Sequence, residues 1–152
     1  MVGISDGDTI TVMHNGRAEK IRLNGIDCPE RGQAFGYRAE QFTSRLAFGK
    51  EVNVQVKGKD RYRRTIGDVI LPDGRNLNRE IVKAGFGWWF RRYASHDKEL
   101  QKLEQEAREA KRGLWADPDT VPPWEWRRRS MHTTSTNCTK RAFLYFTCLA
   151  MT

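Results

Sequence analysis

Thr9 to His14 (TITVMH), the dipeptide Asn15-Gly16, and Ala18 to Ile26 (AEKIRLNGI) are the stretch on which the fold turns. The first run is rich in β-branched residues and the second resumes an alternating pattern. Asn-Gly supplies two residues that tolerate positive φ, as a type I′ turn requires. The three together predict a hairpin.

Working outward, Gln33 to Phe48 carries Ala39, Phe42, Leu46 and Ala47 at helical spacing, closed by Gly49. Glu51 to Val56 (EVNVQV) alternates with period two, and Thr65 to Leu71 (TIGDVIL) is a second apolar strand ending at Pro72-Asp73-Gly74. Asn76 to Ala84 reads as a short helix stopped by Gly85. His96 to Lys111 reads as a charged helix with Leu100, Leu103, Ala107 and Ala110 on one face and Gly113 at its end. About five short strands and three helices, one inserted between the third and fourth strands, predict an α+β protein built on a five-stranded Greek-key barrel of the oligonucleotide-binding (OB) type.

From Asp117 to Arg129 (DPDTVPPWEWRRR) the prolines argue against continued helix, and Trp124 and Trp126 are expected to pack an extended chain back onto the domain. This sets a domain over residues 1–129 and a tail over 130–152, the tail expected to be disordered or vector-derived. Its apolar end (AFLYFTCLAMT) is too short to span a bilayer, and no membrane partner is expected.

The 152 residues suit one domain, and 38% hydrophobic with 30% charged residues suits a globule in water. The net charge of +8 favours polyanionic partners, but five of those charges lie from Arg127 onward, so basicity alone is a weak argument. Cys28, Cys138 and Cys148 show no zinc spacing, although a Cys138 to Cys148 bridge is sterically open. Met1 leads into Val2, Gly3 and Ile4 without a basic region or an apolar stretch of signal length. That fits an intracellular protein, or one whose leader is absent from this sequence.

Three strings concentrate the chemistry: Asp6-Gly7-Asp8-Thr9 entering a strand, Arg22 to Glu30 (RLNGIDCPE) leaving one, and Asp60 to Arg64 (DRYRR) in a turn. Alone, an Asp-Gly-Asp string is a solvated turn, and a D-x-P-E string is a loop at a helix start. Together, and paired in one sheet, strands beginning near Asp8 and ending near Asp27 can set two carboxylates side by side, with Glu30 further round the loop. Clustered oxygen anions without His or Cys ligands select a hard cation, calcium, magnesium or manganese. Arg22 and Arg64 add guanidinium forks that suit phosphate oxygens.

In order and separation these strings resemble staphylococcal (micrococcal) nuclease and its bacterial relatives, over roughly Ile4 to Arg129, and GLW and PPWEWRR resemble the relatives more closely. The resemblance implies a calcium-dependent phosphodiesterase, endo- and exonucleolytic, acting on single-stranded DNA and RNA with low sequence specificity and leaving 3′-phosphate ends. It further implies a monomer and, by family habit, secretion or the periplasm. Asp8 and Asp27 would ligate Ca2+ through carboxylates and Cys28 through its backbone carbonyl, with Mg2+ or Mn2+ as second choices. Glu30 would hold the attacking water, and Arg22 and Arg64 would grip the phosphate. Arg61, Tyr62 and Tyr93 would contact the nucleotide. Two departures stand out: the loop after Glu30 (RGQAFGYRAE) is short, and the strand before Asp6 has about five residues. The competing reading is a non-catalytic OB module that binds single strands, but it has no use for carboxylates facing phosphates.

Overall fold

The computed structural model describes residues 1–136. The tail beyond them, with the Cys138 to Cys148 bridge considered above, lies outside the described residues. Strands β1 (Gly3–Asp6), β2 (Thr9–His14), β3 (Arg17–Leu23) and β4 (Ile26–Asp27) precede helix α1 (Gly36–Ala47). Then follow β5 (Asn53–Lys59), β6 (Thr65–Ile70), α2 (Leu77–Lys83), β7 (Trp88–Trp89), α3 (Lys98–Glu109), a 3₁₀ turn (Gly113–Ala116) and α4 (Pro123–Thr136). The chain divides into two compact units, Met1–Thr120 and the part from Val121 onward.

The hairpin of β2 and β3 forms at the expected turn. Asn15 (φ 50°) and Gly16 (φ 73°) both take positive φ, and His14 pairs with Arg17 across them. From it the sheet grows in the order β1-β2-β3-β6-β5, antiparallel except where β3 meets β6 in parallel. Among the described residues no pairing joins β1 to β5, so the strands form a mixed sheet whose ladder is open. β4 pairs with β7 in a separate two-stranded sheet, which sequence periodicity did not predict.

Alternation decides which face is buried. Along β6, Thr65, Gly67 and Val69 point inward while Ile66, Asp68 and Ile70 are half-buried. Ile10, Ile21, Leu23, Ile26, Val69, Leu77, Ile81 and Leu100 join one core beneath the helices. Asn78 on α2, 1% exposed, accepts the Val69 N–H (3.1 Å) and donates to the carbonyls of Asn24 (3.0 Å) and Gly67 (3.2 Å). One buried amide thereby ties β6 to the turn leaving β3.

The α+β class stands, with four helices among the described residues rather than three. The difference is α4: the segment expected to be extended turns helical at Pro123. Proline there occupies the first helical turn, where its missing N–H costs no bond and its fixed φ suits the helix. The helix continues past the boundary expected at residue 129. No helix among the described residues is long and apolar enough to cross a membrane.

Candidate active site

Asp8 lies in the tight connection from β1 to β2, which three contacts hold in place. The Leu23 N–H donates to the Asp8 carbonyl (2.8 Å), the Thr43 hydroxyl of α1 donates to the Gly7 carbonyl (2.7 Å), and Gly7 sits against Cys28 and Ala39. A Cβ on Gly7 would meet the Cβ atoms of both neighbours at 2.9 Å, so the turn can pass here only as glycine.

Arg22 projects from β3 between two carboxylates. Its Nη1 contacts Asp8 Oδ1, and its Nη2 donates to Asp27 Oδ1 at 2.9 Å. The second oxygen of Asp8 accepts the Cys28 backbone N–H at 2.6 Å, and the Thr9 hydroxyl donates to Asp8 Oδ1 at 3.3 Å. Asp8 and Asp27 are 4% and 1% exposed, so two acids are buried around one guanidinium. Burial pulls the Arg22 pKa down, but the charges of Asp8 and Asp27 more than reverse this and raise it above its ordinary value.

A third acid adjoins them. Asp6 Oδ1 accepts the Asp8 N–H (3.3 Å), and burial, then the Asp8 charge, pushes its carboxyl up to about 7. The sequence reading quoted Asp6 but gave it no role. Its signal was available: two acids flanking a glycine in a tight strand connection must lie close together. Cys28, fully enclosed, has its thiol raised by burial first and then by Asp8, so it stays protonated and offers no thiolate.

Glu30 follows β4 in a loop that is tied down locally. The Glu30 N–H donates to Gln33 Oε1 (3.2 Å), and the Gln33 N–H donates back to the Glu30 carbonyl (2.9 Å). Gly36 lies so near that a Cβ on it would fall 1.9 Å from the Glu30 carbonyl oxygen. Gln33, 7% exposed, was also missed; its only trace in the sequence is a Gln three residues after the Glu.

Arg64 precedes β6, the parallel neighbour of β3. Arg22 pairs with Ile66, so Arg64, two positions earlier, falls on the same face of the sheet roughly 7 Å along the strand. Its Nε donates to Asp60 Oδ2 at 2.6 Å. Burial is the largest single influence on Asp60 and raises its pKa, but the hydrogen bonds and charge of Arg64, with the Tyr62 N–H, together outweigh it and leave the carboxyl below its ordinary value. Tyr62 is 64% exposed with Arg61 4.8 Å and Arg64 5.5 Å from its ring centre, and Tyr93 is 70% exposed against Phe90. Both rings are open to stacking.

The structure therefore brings Asp8 and Asp27 together on the Arg22 guanidinium, with Asp8 also bonded to the Cys28 backbone N–H. It sets Glu30 three residues after Asp27 on a braced loop and Arg64 on the face shared with Arg22. Asp8 and Asp27 are not in one sheet as expected: Asp27 belongs to the β4–β7 pair, and Arg22 links the two. Among the described residues no three His, Cys, Asp or Glu side chains stand in metal-holding geometry.

Comparison with known proteins decides the family. The staphylococcal nuclease homologue family matches residues 20–117. The chain belongs to that family. The match takes in Arg22, Asp27, Glu30 and Arg64, while Asp8 precedes it and rests on the Arg22 fork. A protein named micrococcal nuclease from Shigella flexneri is 43% identical over 144 residues, covering 89% of this chain and 83% of its own length. A protein named as an uncharacterized endonuclease from Escherichia coli O157:H7 is 46% identical over 129 residues, 85% of this chain and 84% of that one. Another so named, from Haemophilus influenzae, is 42% identical over 130 residues, 85% and 72% of the two chains.

Proposed function

We propose that this member of the staphylococcal nuclease family is a calcium-dependent phosphodiesterase. It acts as a monomer on single-stranded DNA and RNA with low sequence specificity and leaves 3′-phosphate ends. Membership of the family makes it a nuclease; the metal, the specificity and the product ends are the finer reading. The sheet would then be the OB barrel of the family.

One observation carries the metal reading: two buried carboxylates share a single arginine, with a third acid beside them. One cation against two buried carboxylates leaves negative charge, to which Asp6 adds as it ionises near pH 7, that a hard divalent ion would balance, and the oxygen-only donors suit calcium, magnesium or manganese. Asp8, Asp27 and the Cys28 carbonyl would hold the ion. Bound there, it would supply positive charge to a phosphate oxygen.

The chain's own groups do the rest. Glu30 orients water or takes its proton, since a carboxylate on a braced loop keeps its direction. Arg22 and Arg64, on one sheet face, offer planar donors to the charge that accumulates on phosphorus oxygens. Tyr62, Arg61 and Tyr93 hold the flanking nucleotide by stacking and charge. A pure binding module would gain nothing from buried acids that repel phosphates.

The test is incubation of purified protein with single-stranded DNA, with calcium or chelator, alongside Glu30→Gln. Cleavage is expected to stop in chelator and to fall about 100- to 1000-fold, to a residual measurable rate, with Glu30→Gln. Cleavage that survives chelation and substitution alike overturns the reading.

A further inference from the structure

We infer that Gln33 is the positioning residue for Glu30, setting the direction of its carboxylate through the backbone. The inference rests on the role proposed above for Glu30. The two backbone polar groups of Glu30 both bond to Gln33: its N–H donates to the Gln33 side chain at 3.2 Å, and its carbonyl accepts the Gln33 N–H at 2.9 Å. The Gly36 N–H then donates to the Gln33 carbonyl (3.0 Å), linking the brace to the first turn of α1. Gly36 closes over the Glu30 carbonyl at a separation that admits no side chain.

Gln33 is 7% exposed in a loop whose neighbours Arg31 and Ala34 are exposed. Burying a primary amide is unfavourable unless its polar atoms are bonded. Here the amide oxygen is committed to Glu30, which also fixes which way the amide faces, because only the oxygen can accept an N–H. The short loop forms a tight cradle around one residue.

Positioning and mere folding differ in what they change. A residue that only stabilises the loop would change stability and leave turnover per folded molecule alone. One that aims Glu30 changes turnover, and only while Glu30 is a carboxylate. Misplacing a reacting group by about 1 Å can cost on the order of 100-fold in rate; loss of one of the two bonds to Gln33 is expected to cost about 10-fold.

The experiment is a double-mutant cycle on the full chain, with Gln33→Met, Glu30→Gln and the pair. Methionine keeps length and volume and removes the acceptor. Readouts are kcat and KM on single-stranded DNA at saturating calcium, calcium affinity by titration calorimetry, and the thermal midpoint. Gln33→Met is expected to lower kcat about 10-fold, leave KM and calcium affinity unchanged, and cost nothing further in the Glu30→Gln background. Gln33→Glu, which keeps an oxygen at the same reach, is expected to retain most of the turnover. If Gln33→Met lowers kcat equally with and without the Glu30 carboxylate, or leaves it unchanged, the inference falls. Wild-type protein that does not cleave, or cleaves equally well as Glu30→Gln, overturns the proposed function instead.

Discussion

Replacing Arg22 with methionine isolates what the buried fork does. Methionine keeps most of the stem and deletes the guanidinium, leaving Asp8 at 4% and Asp27 at 1% exposure without the cation between them. Breaking a buried ion pair from one side typically costs about 3–5 kcal/mol, because the remaining charge has neither water nor partner. Two acids lose their counterion here, but each can relieve the strain by taking up a proton, so that range holds near neutral pH and shrinks as the acids protonate. For a unit of this size the loss is on the order of 15 °C in Tm. The assay is urea unfolding of wild type and Arg22→Met in chelator and again in saturating calcium. A divalent ion held by the same carboxylates replaces the missing charge, so calcium should stabilise the variant more than the wild type. Cleavage should stay low even at saturating calcium, since the ion restores the fold and not the phosphate grip. A variant within about 1 kcal/mol of wild type in chelator, or a calcium increment equal to the wild type's, refutes the idea that Arg22 and the ion draw on the same oxygens.

Gly36→Ala places a methyl 1.9 Å from the Glu30 carbonyl oxygen. Relief needs a shift of roughly 1 Å, so kcat should fall up to about 100-fold, with calcium affinity preserved by titration; unchanged kcat contradicts the cradle. Asp6, held up to about 7 by burial and by Asp8, keeps a proton in the folded state that the unfolded chain releases from 3.8 upward. The unfolded state binds fewer protons across that window, so this group lowers stability as pH rises through it. Asp6→Asn should therefore stabilise the chelated protein at pH 8, by up to about 4 kcal/mol, and have little effect below pH 4; equal effects at both pH values in urea unfolding would show that Asp6 is not shifted. Asp27→Asn removes one anionic ligand and should weaken calcium affinity at least 10-fold; a calorimetric titration superimposing on wild type would exclude Asp27 as a ligand.

How much of this was legible in the sequence followed the range of the interaction. The β2–β3 hairpin was readable because Asn15-Gly16 states its own turn type within two residues. Helix α2 was readable because Gly85 (φ 78°) stops it, and α3 because Leu100, Leu103 and Ala107 recur on one face. The β4–β7 pair was not, since two-residue strands carry no periodicity and their partners lie about 60 positions apart. Helix α4 was lost by reading Pro122-Pro123 as a breaker when the second proline is a starter. At the site, residue types were visible and the contacts between them were not. Arg22 could be marked as a phosphate ligand, but its fork to Asp8 and Asp27 depends on how β2, β3 and β4 converge. The Asp60 partner of Arg64 was more accessible, four positions away in the same turn.

The fork also explains why acids meant for a cation can be buried before the cation arrives. A site formed only of Asp6, Asp8 and Asp27 would repel itself, and the fold would have to be held together against that repulsion. Arg22 removes most of the difficulty by lying between the two most buried acids, on the strand paired with β2 directly opposite Thr9. On the proposed reading the same side chain would also grip the phosphate. A divalent ion held by Asp8 and Asp27 would weaken their hold on the guanidinium by occupying their oxygens, and the freed donors would gain most by turning to a new anion. Metal and phosphate should then bind with positive coupling carried by Arg22, and Arg64, whose partner Asp60 lies outside the cluster, should contribute none of it.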